Sequence, residues 1–211
     1  NAVDIFFLEG MPELSGGVGL ESFGEYTVSL KEKLHFTGPL LVDNPDRLPS
    51  REELKLRHAG GMTIPVVYFT IGGGSTLIGE DFLAVVLEAL RRMSDIVGVV
   101  ATGIAISPEE IEKHNPPANA LIRGFVPGTE LIRASDVTVF HGGSSTLMTC
   151  IACGTPAVVV PSMGEQEDNG AVLAEQGAGI VLDKAILTAE KLTEAVRQIL
   201  QNPEYREQAM I

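Results

Sequence analysis

The 211-residue sequence predicts an α/β protein in which a parallel sheet is covered by helices on both faces. Short apolar segments rich in β-branched residues alternate along the chain with segments of helical period. Glycine is abundant, at 23 residues, whereas aromatic residues make up 5% of the chain and tryptophan is absent. This mixture favours many tight strand-to-helix turns over a β-sandwich.

The predicted strands are apolar runs bounded by turn residues. In chain order they are VDIFFL at 3–8, LHFTGPLL at 34–41, PVVYFTI at 65–71, DIVGVVAT at 95–102, NALIRGFV at 119–126, VTVFH at 137–141, PAVVVP at 156–161 and AGIVL at 178–182. The glycine- and serine-rich segment 11–27 has weak periodicity, which predicts a loop or linker, and the composition of 43–50 is typical of turns.

Capping residues and glycines mark the predicted helices. Ser50 is the expected N-cap of a helix at 50–60, and Pro108 stands at the first position of a short helix at 107–114. The other helices are predicted at 80–93, 129–135, 144–154, 165–177 and 188–202, the last of them stopped by Pro203.

Composition argues against several classes of function. A formal net charge of −13 repels phosphate backbones and anionic lipids, so binding to nucleic acid or to a membrane surface is not expected. The most apolar run, 96–106, is too short for a membrane span. We expect no signal peptide and a cytoplasmic, reducing compartment. Because the chain begins at Asn1 rather than Met, we interpret it as a piece of a longer protein.

The only two cysteines, Cys150 and Cys153, lie three positions apart inside a predicted helix. Redox cysteines gain a low pKa at a helix N-terminus, and a zinc site needs further ligands. We therefore interpret both as small buried residues rather than as a redox or metal pair.

The stretch FHGGSST, at 140–146, is the candidate binding site. Ligands of open parallel sheets bind beyond the carboxyl ends of the strands, and His141 lies at such an end, directly before a helix. Backbone N–H groups at a helix start suit a phosphate, and Gly142 and Gly143 let an oxyanion approach the backbone. Three residues that can donate hydroxyls or cap the helix follow: Ser144, Ser145 and Thr146. The alternative is a glycine-rich turn with a structural histidine.

A second polar pair follows the next predicted strand. Glu165 and Gln166 fall in the neighbouring strand-to-helix turn, at the same edge of the sheet. A carboxylate beside an amide can accept from and donate to the vicinal hydroxyls of a sugar. Alone, such a pair is more often a solvated face, but beside a phosphate turn it indicates a sugar joined to a phosphate.

Several ordered motifs resemble a known family. They are HFTGPLL, VVYFTIGGGS, FVPGTELI, HGGSST, CGTPAVVVPSMGEQEDNGAVLAEQGAGIVL and LTAEKLTEAVRQIL. Together they resemble the nucleotide-binding C-terminal domain of UDP-glycosyltransferase-like enzymes, which have the two-domain GT-B fold and include the antibiotic and macrolide glycosyltransferases. The resemblance covers residues 34–210 and is strongest over 119–182.

The resemblance implies a domain organisation. Residues 34–211 would form a Rossmann-like, nucleotide-sugar donor-binding domain, the C-terminal half of a GT-B fold. Residues 1–33 would be a linker and entry segment from an N-terminal domain that this chain does not contain.

The resemblance also implies roles for individual residues. The diphosphate would be held by His141, Gly142, Gly143, Ser144, Ser145, Thr146, Gly72 and Gly73. Phe125 and Val126 would lie against the base, and Glu165 and Gln166 would contact hydroxyls of the donor sugar. Thr149 stands where many relatives carry a glutamate that holds the ribose hydroxyls. A threonine there resembles enzymes that use dTDP-deoxysugars, so UDP and dTDP both stay open as donor nucleotides.

The activity that the resemblance implies is that of an inverting hexosyltransferase. The hydroxyl of an acceptor, expected to be a small molecule, would attack the anomeric carbon while His141 and backbone N–H groups stabilise the leaving diphosphate. The general base belongs to the family's N-terminal domain, so this chain alone is expected to bind nucleotide and to be nearly inactive. No Asp-x-Asp occurs, and neither a metal nor another cofactor is expected.

Three other functions stay open on the sequence alone. The chain could belong to a nucleotide-sugar epimerase, which shares the two-domain fold. It could be a non-catalytic module that binds a nucleotide sugar. It could also be the binding subunit of a two-chain glycosyltransferase.

Overall fold

The structure is a computed structural model that describes residues 5–9, 33–61, 63–72, 80–104 and 106–210. The chain divides into two compact units, Asn1–Val42 and Asp43–Ile211. The second unit lies wholly inside the predicted donor domain.

The first unit contains two short parallel strands, β1 (Phe6–Leu8) and β2 (Leu34–Phe36). The backbone N–H of Thr37 extends the pairing by donating to the carbonyl of Leu8 at 3.0 Å. The strand predicted at 34–41 ends early, because Gly38 has a φ of +72° and the following Pro39 has no N–H to donate.

The second unit is built on a six-stranded parallel sheet, which confirms the predicted fold class. Its strands are β3 (Val66–Thr70), β4 (Val97–Ala101), β5 (Ala120–Arg123), β6 (Val137–Phe140), β7 (Ala157–Val159) and β8 (Gly179–Val181). Their order across the sheet is β5-β4-β3-β6-β7-β8. The direction of winding therefore reverses between β3 and β6, and ligands of such sheets bind at that point.

The helices follow the predicted pattern closely. They are α1 (Arg51–Ala59), α2 (Glu80–Arg92), α3 (Pro108–Glu112), α4 (Gly128–Ala134), α5 (Ser144–Cys153), α6 (Gly164–Glu175), α7 (Ala189–Gln201) and α8 (Glu204–Ala209). The sequence prediction missed α8 and two 3-10 turns, Pro45–Arg47 and Lys184–Ile186. Pro203 ends α7 as predicted but also begins α8, because proline fits the first turn of a helix.

Helices cover both faces of the sheet. Along β3, Val67 and Phe69 are fully buried in the core cluster that contains the apolar sides of α2 and α7. Tyr68 points to the opposite face, since successive strand residues alternate, and lies near Cys150 of α5. On that face α5 packs on α4, and α4 packs on α1. All five residues of β3 are therefore buried, as expected for a strand covered on both sides.

Asp136 ties the amino ends of the two central strands together. It directly precedes β6, and its carboxylate accepts from the N–H of Val66, the first residue of β3, at 2.7 Å. The same carboxylate pairs with Arg51 and with Lys55 of α1, the latter at 2.7 Å. Burial raises the pKa of Asp136, but the hydrogen bonds from Lys55 and Val66 and both cations outweigh burial and leave the pKa below its ordinary value.

We predict that Asp136→Asn destabilises the fold by about 2 to 3 kcal/mol, because Arg51 and the buried Lys55 lose their counter-charge. Urea unfolding measures the change. The matched control is Asp95→Asn, which breaks the exposed Asp95–Arg197 pair and is expected to cost less than about 1 kcal/mol. Equal losses in the two variants would contradict the assigned role.

We also predict that Asp136→Asn changes how the free energy of unfolding depends on pH. A carboxylate with a lowered folded pKa stabilises the protein fully above its unfolded pKa of about 3.9, and this contribution is lost as the pH falls through the folded value. The free energy of unfolding of Asp136→Asn is therefore expected to fall less steeply than that of the wild type below about pH 4.

Candidate functional site

The turns after β3 and β6 meet where the strand order reverses. Gly72 follows β3 with a φ of +77°, and a Cβ atom on it would lie 2.6 Å from Cε1 of His141, which follows β6. A Cβ atom on Gly143 would lie 2.6 Å from Nε2 of the same ring. The imidazole thus fits between two glycine backbones, and only glycine permits this approach on either side.

The environment of His141 favours the neutral form of its ring. Burial lowers the pKa of His141 below its ordinary value, and the nearby Glu165 carboxylate only partly opposes this effect. Its Nδ1 atom is buried and has no hydrogen-bond partner within the described part of the chain. A neutral imidazole has one donor and one acceptor nitrogen, so this ring can still form a hydrogen bond to a ligand oxygen.

The start of α5 supplies backbone donors next to this ring. Gly143 is the N-cap residue, and the first backbone bond of the helix runs from Leu147 to the Gly143 carbonyl. The N–H groups of the first turn therefore have no partner within the helix. The first turn, Ser144 to Thr146, has no acidic residue, and the N-cap glycine forms no side-chain hydrogen bond that would cap the helix. Free N–H groups at a helix start can bind an anion, so the anion site predicted here stays a prediction that this geometry permits.

The turns after β6 and β7 are also in contact. A Cβ atom on Gly142, whose φ is +91°, would lie 2.7 Å from the backbone oxygen of Gln166 in the first turn of α6. The structure thus brings the predicted phosphate turn and the predicted sugar pair together.

The polar side chains at this contact differ in exposure. Glu165 is exposed, and its carboxylate accepts from the Ser144 hydroxyl at 2.6 Å. Ser144 was predicted to bind the diphosphate; because its hydroxyl donates to Glu165 here, we expect its backbone N–H to make that contact. Gln166 is buried, and its side-chain oxygen accepts from the N–H of Ser162 at 2.9 Å.

Two residues at this edge were missed by sequence reasoning. Asn169 donates to the Gly142 carbonyl at 2.8 Å, and its amide nitrogen also lies 3.3 Å from the Ser144 hydroxyl. Its position four residues after Glu165 places it on the same face of α6, which is a signal that the sequence did contain. Lys184, in the 3-10 turn after β8, donates to the Ser162 hydroxyl at 3.2 Å, and no sequence motif marked it.

The residues predicted to hold the base lie at the other end of the same edge. Phe125 follows β5, three strands from β6, and its side chain is 83% exposed. With about 4.8 Å between neighbouring strands, this places the base residues roughly 14 Å from the phosphate turn. Val126 beside it is half-buried.

Thr149 lies one helical turn beyond the phosphate site, as its place in the sequence requires. It is 8% exposed, and its hydroxyl donates to the Ser145 carbonyl at 2.8 Å within its own helix. Its predicted role beside the ribose stays a prediction. Gly73, also predicted at the diphosphate, lies outside the described residues.

Comparison with protein families agrees with this geometry. Residues 91–211 match the model of the erythromycin biosynthesis protein CIII-like C-terminal domain. The chain belongs to this family.

Among curated relatives, the chain resembles a PGL/p-HBAD biosynthesis glycosyltransferase of Mycobacterium tuberculosis, with 31% identity over 87% of this chain. The chain spans only 40% of the length of that relative.

Solved structures show the same fold. The glycotransferase of kitacinnamycin superposes with a TM-score of 0.69 at 21% identity, over 85% of this chain and 44% of that one. Spinosyn rhamnosyltransferase SpnG, complexed with thymidine diphosphate, superposes with a TM-score of 0.58 at 25% identity, over 70% of this chain and 40% of that one.

The two cysteines of this CIII-like domain are free thiols. Cys150 is fully buried, and burial raises its pKa to about 12. Cys153 is half-buried, and burial raises its pKa to about 11. Both therefore stay protonated at neutral pH, which fits their interpretation as packing residues.

The described ranges of the chain hold no group of three or more histidine, cysteine or acidic residues that could bind a metal ion. Within the same ranges, every helix is too short or too polar to cross a membrane.

We predict that Gly72→Ala weakens binding of a nucleoside diphosphate by about tenfold, because its Cβ would displace the His141 ring and remove one charge-assisted hydrogen bond. The matched control is Gly60→Ala, which has the same kind of backbone, with a φ of +74°, but open space around the new methyl group.

Both variants are expected to lose about 1 kcal/mol of stability from a side chain at positive φ. Only Gly72→Ala is expected to lose affinity for UDP and dTDP in a calorimetric titration. Unchanged affinity in a folded Gly72→Ala protein would show that the ring does not contact the diphosphate.

Proposed function

We propose that this chain is the donor-binding domain of an inverting hexosyltransferase, which moves a sugar from a UDP-sugar or dTDP-sugar donor to a hydroxyl of a small-molecule acceptor. One observation carries the proposal. At the point where the strand order reverses, a half-buried His141, whose lowered pKa favours the neutral ring, lies between two glycine backbones beside the start of α5, which has no side-chain cap. This arrangement offers several N–H donors to one oxyanion.

The donor would lie along the carboxyl edge of the sheet. Phe125 and Val126 would contact the base, and the turn from His141 to Thr146 would hold the diphosphate. Glu165 and Gln166 would contact the sugar. The Glu165 carboxylate suits this end of the ligand, because a carboxylate repels a phosphate but accepts from sugar hydroxyls.

The names of related proteins support the same proposal. The M. tuberculosis relative is described as a glycosyltransferase, and SpnG has been solved with thymidine diphosphate and with spinosyn aglycone. A nucleotide-bound and an aglycone-bound relative support a sugar nucleotide and a small molecule as the two substrates. A cytoplasmic location is part of the proposal.

The contribution of this domain to the reaction would be stabilisation of the leaving group. The acceptor oxygen would form a bond to the anomeric carbon while the bond from that carbon to the diphosphate oxygen breaks and leaves its electron pair on the diphosphate. The N–H groups of α5 and His141 would meet the growing negative charge; removal of one such donor typically costs about 10²–10³ in rate. The proton of the acceptor would go to a base outside this chain.

We predict that the chain binds UDP or dTDP in EDTA as tightly as in Mg²⁺, because the proposed anion site consists of backbone N–H groups, hydroxyls and His141. Calorimetric titration with both nucleotides, with and without Mg²⁺, measures this and also identifies the preferred nucleotide. GDP is the control and is expected to bind more weakly. Binding that requires a divalent metal would overturn the metal-free site, and binding of none of these nucleotides would overturn the proposed function.

We predict that His141→Ala weakens diphosphate binding at least about tenfold while nucleoside binding is unchanged, because a charge-assisted hydrogen bond is worth roughly 1.5–3 kcal/mol. The ligands are dTDP against thymidine and UDP against uridine. His114→Ala, at an exposed position after α3, is the matched control and is expected to change neither affinity. Equal losses for nucleoside and diphosphate would show that His141 is structural.

A further inference from the structure

The side chain of Asn169 connects the two turns of the candidate site. Its amide nitrogen lies 2.8 Å from the Gly142 carbonyl, 3.3 Å from the Ser144 hydroxyl and 3.4 Å from Oε1 of Glu165. Gly142 and Ser144 belong to the phosphate turn, whereas Glu165 belongs to the sugar pair. One side chain therefore contacts residues with two different assigned roles.

The amide of Asn169 has two protons and three acceptors within reach. The Gly142 carbonyl is the nearest acceptor. The other two, the Ser144 hydroxyl and the Glu165 carboxylate, are themselves joined by a bond of 2.6 Å. Two protons are enough to serve the Gly142 carbonyl and this joined pair.

The carboxylate of Glu165 is unusual because it is exposed and yet is held by other side chains. An exposed glutamate normally samples several rotamers, and fixing it costs conformational entropy. Here Ser144 and Asn169 both donate to Oε1, one from the phosphate turn and one from the next turn of α6. These contacts occupy one carboxylate oxygen and leave Oε2 to accept from a ligand hydroxyl.

We propose that Asn169 is a positioning residue for the sugar subsite, which holds the Glu165 carboxylate against the phosphate turn so that Oε2 faces the donor sugar. This inference rests on the proposed function. Asn169 acts through Glu165 and does not itself contact the sugar. Its bond to Gly142 fixes the distance between the phosphate turn and the carboxylate, so that the diphosphate and the sugar of the ligand are held in register.

A purely structural role for Asn169 makes a different prediction. If Asn169 only supported the Gly142 turn, replacing it would lower the affinities for a nucleoside diphosphate and for the corresponding sugar nucleotide by the same factor. A positioning role predicts an additional loss of affinity for the sugar nucleotide alone. It also predicts that this additional loss depends on Glu165, which a double-mutant cycle measures directly.

The experiment compares UDP with UDP-glucose, and dTDP with dTDP-glucose, by calorimetric titration of the 211-residue chain. The variants are Asn169→Ala, Glu165→Ala and the double variant. Glu167→Ala, an exposed neighbour on α6, is the matched control. Asn169→Asp keeps the side-chain volume but removes the donor, so it serves as the second variant if melting curves show that Asn169→Ala does not fold.

Asn169→Ala and Asn169→Asp are expected to lower the affinity for the sugar nucleotide about fivefold or more beyond their effect on the affinity for the nucleoside diphosphate. This is the scale of one hydrogen bond. In the Glu165→Ala background this additional loss is expected to disappear, and Glu167→Ala is expected to change neither affinity. Equal losses for both ligands, or a sugar-specific loss that persists without Glu165, would overturn the inference. A wild-type chain that binds neither UDP nor dTDP would instead show that the proposed function is wrong.

Discussion

The close approach of three backbone turns at the reversal of strand order is the constraint on which the site depends. The turns after β3, β6 and β7 converge there, and glycine occupies each contact where a Cβ atom would collide: Gly72 and Gly143 against His141, and Gly142 against Gln166. These glycines leave the backbone N–H groups and the imidazole accessible to a ligand. The chemistry of the site therefore follows from main-chain proximity before any polar side chain is considered.

That proximity is maintained from the opposite end of the sheet. Asp136 joins the amino ends of β3 and β6 and pairs both strands with cations of α1. The register that follows, with Val67 opposite Val137 and Phe69 opposite Val139, determines how far each strand extends at its carboxyl end. Hydrophobic burial alone is non-directional and would not fix this register. An ion-pair cluster at one edge thus positions the binding turns at the other.

The sequence contained enough information to predict the elements and the candidate turn, but not their mutual contacts. Strands such as 65–71 were recognisable because a strand buried on both faces is a continuous apolar run, and the histidine-glycine turn stood out because it follows a predicted strand and precedes a predicted helix. The strand order, the bond from Ser144 to Glu165 and the contacts of Asn169 could not be read from periodicity. They depend on which turns the fold brings together, and residues far apart in the chain carry no local signal of that.

The proposed site would bind an anion without a full positive charge among the residues assigned to the diphosphate. The chain carries a formal net charge of −13, and burial favours the neutral form of His141, so attraction would have to come from oriented N–H dipoles that act over a short range. Such donors are fixed before the reaction and interact more strongly as charge grows on the leaving group, which favours the transition state over the bound donor. Once transfer is complete, the acidic surface would repel the free diphosphate over about one Debye length, roughly 8 Å at physiological salt. Neutral N–H donors would therefore stabilise the negative charge on the leaving diphosphate at short range. The negative charge of the surrounding surface would favour release of the diphosphate product.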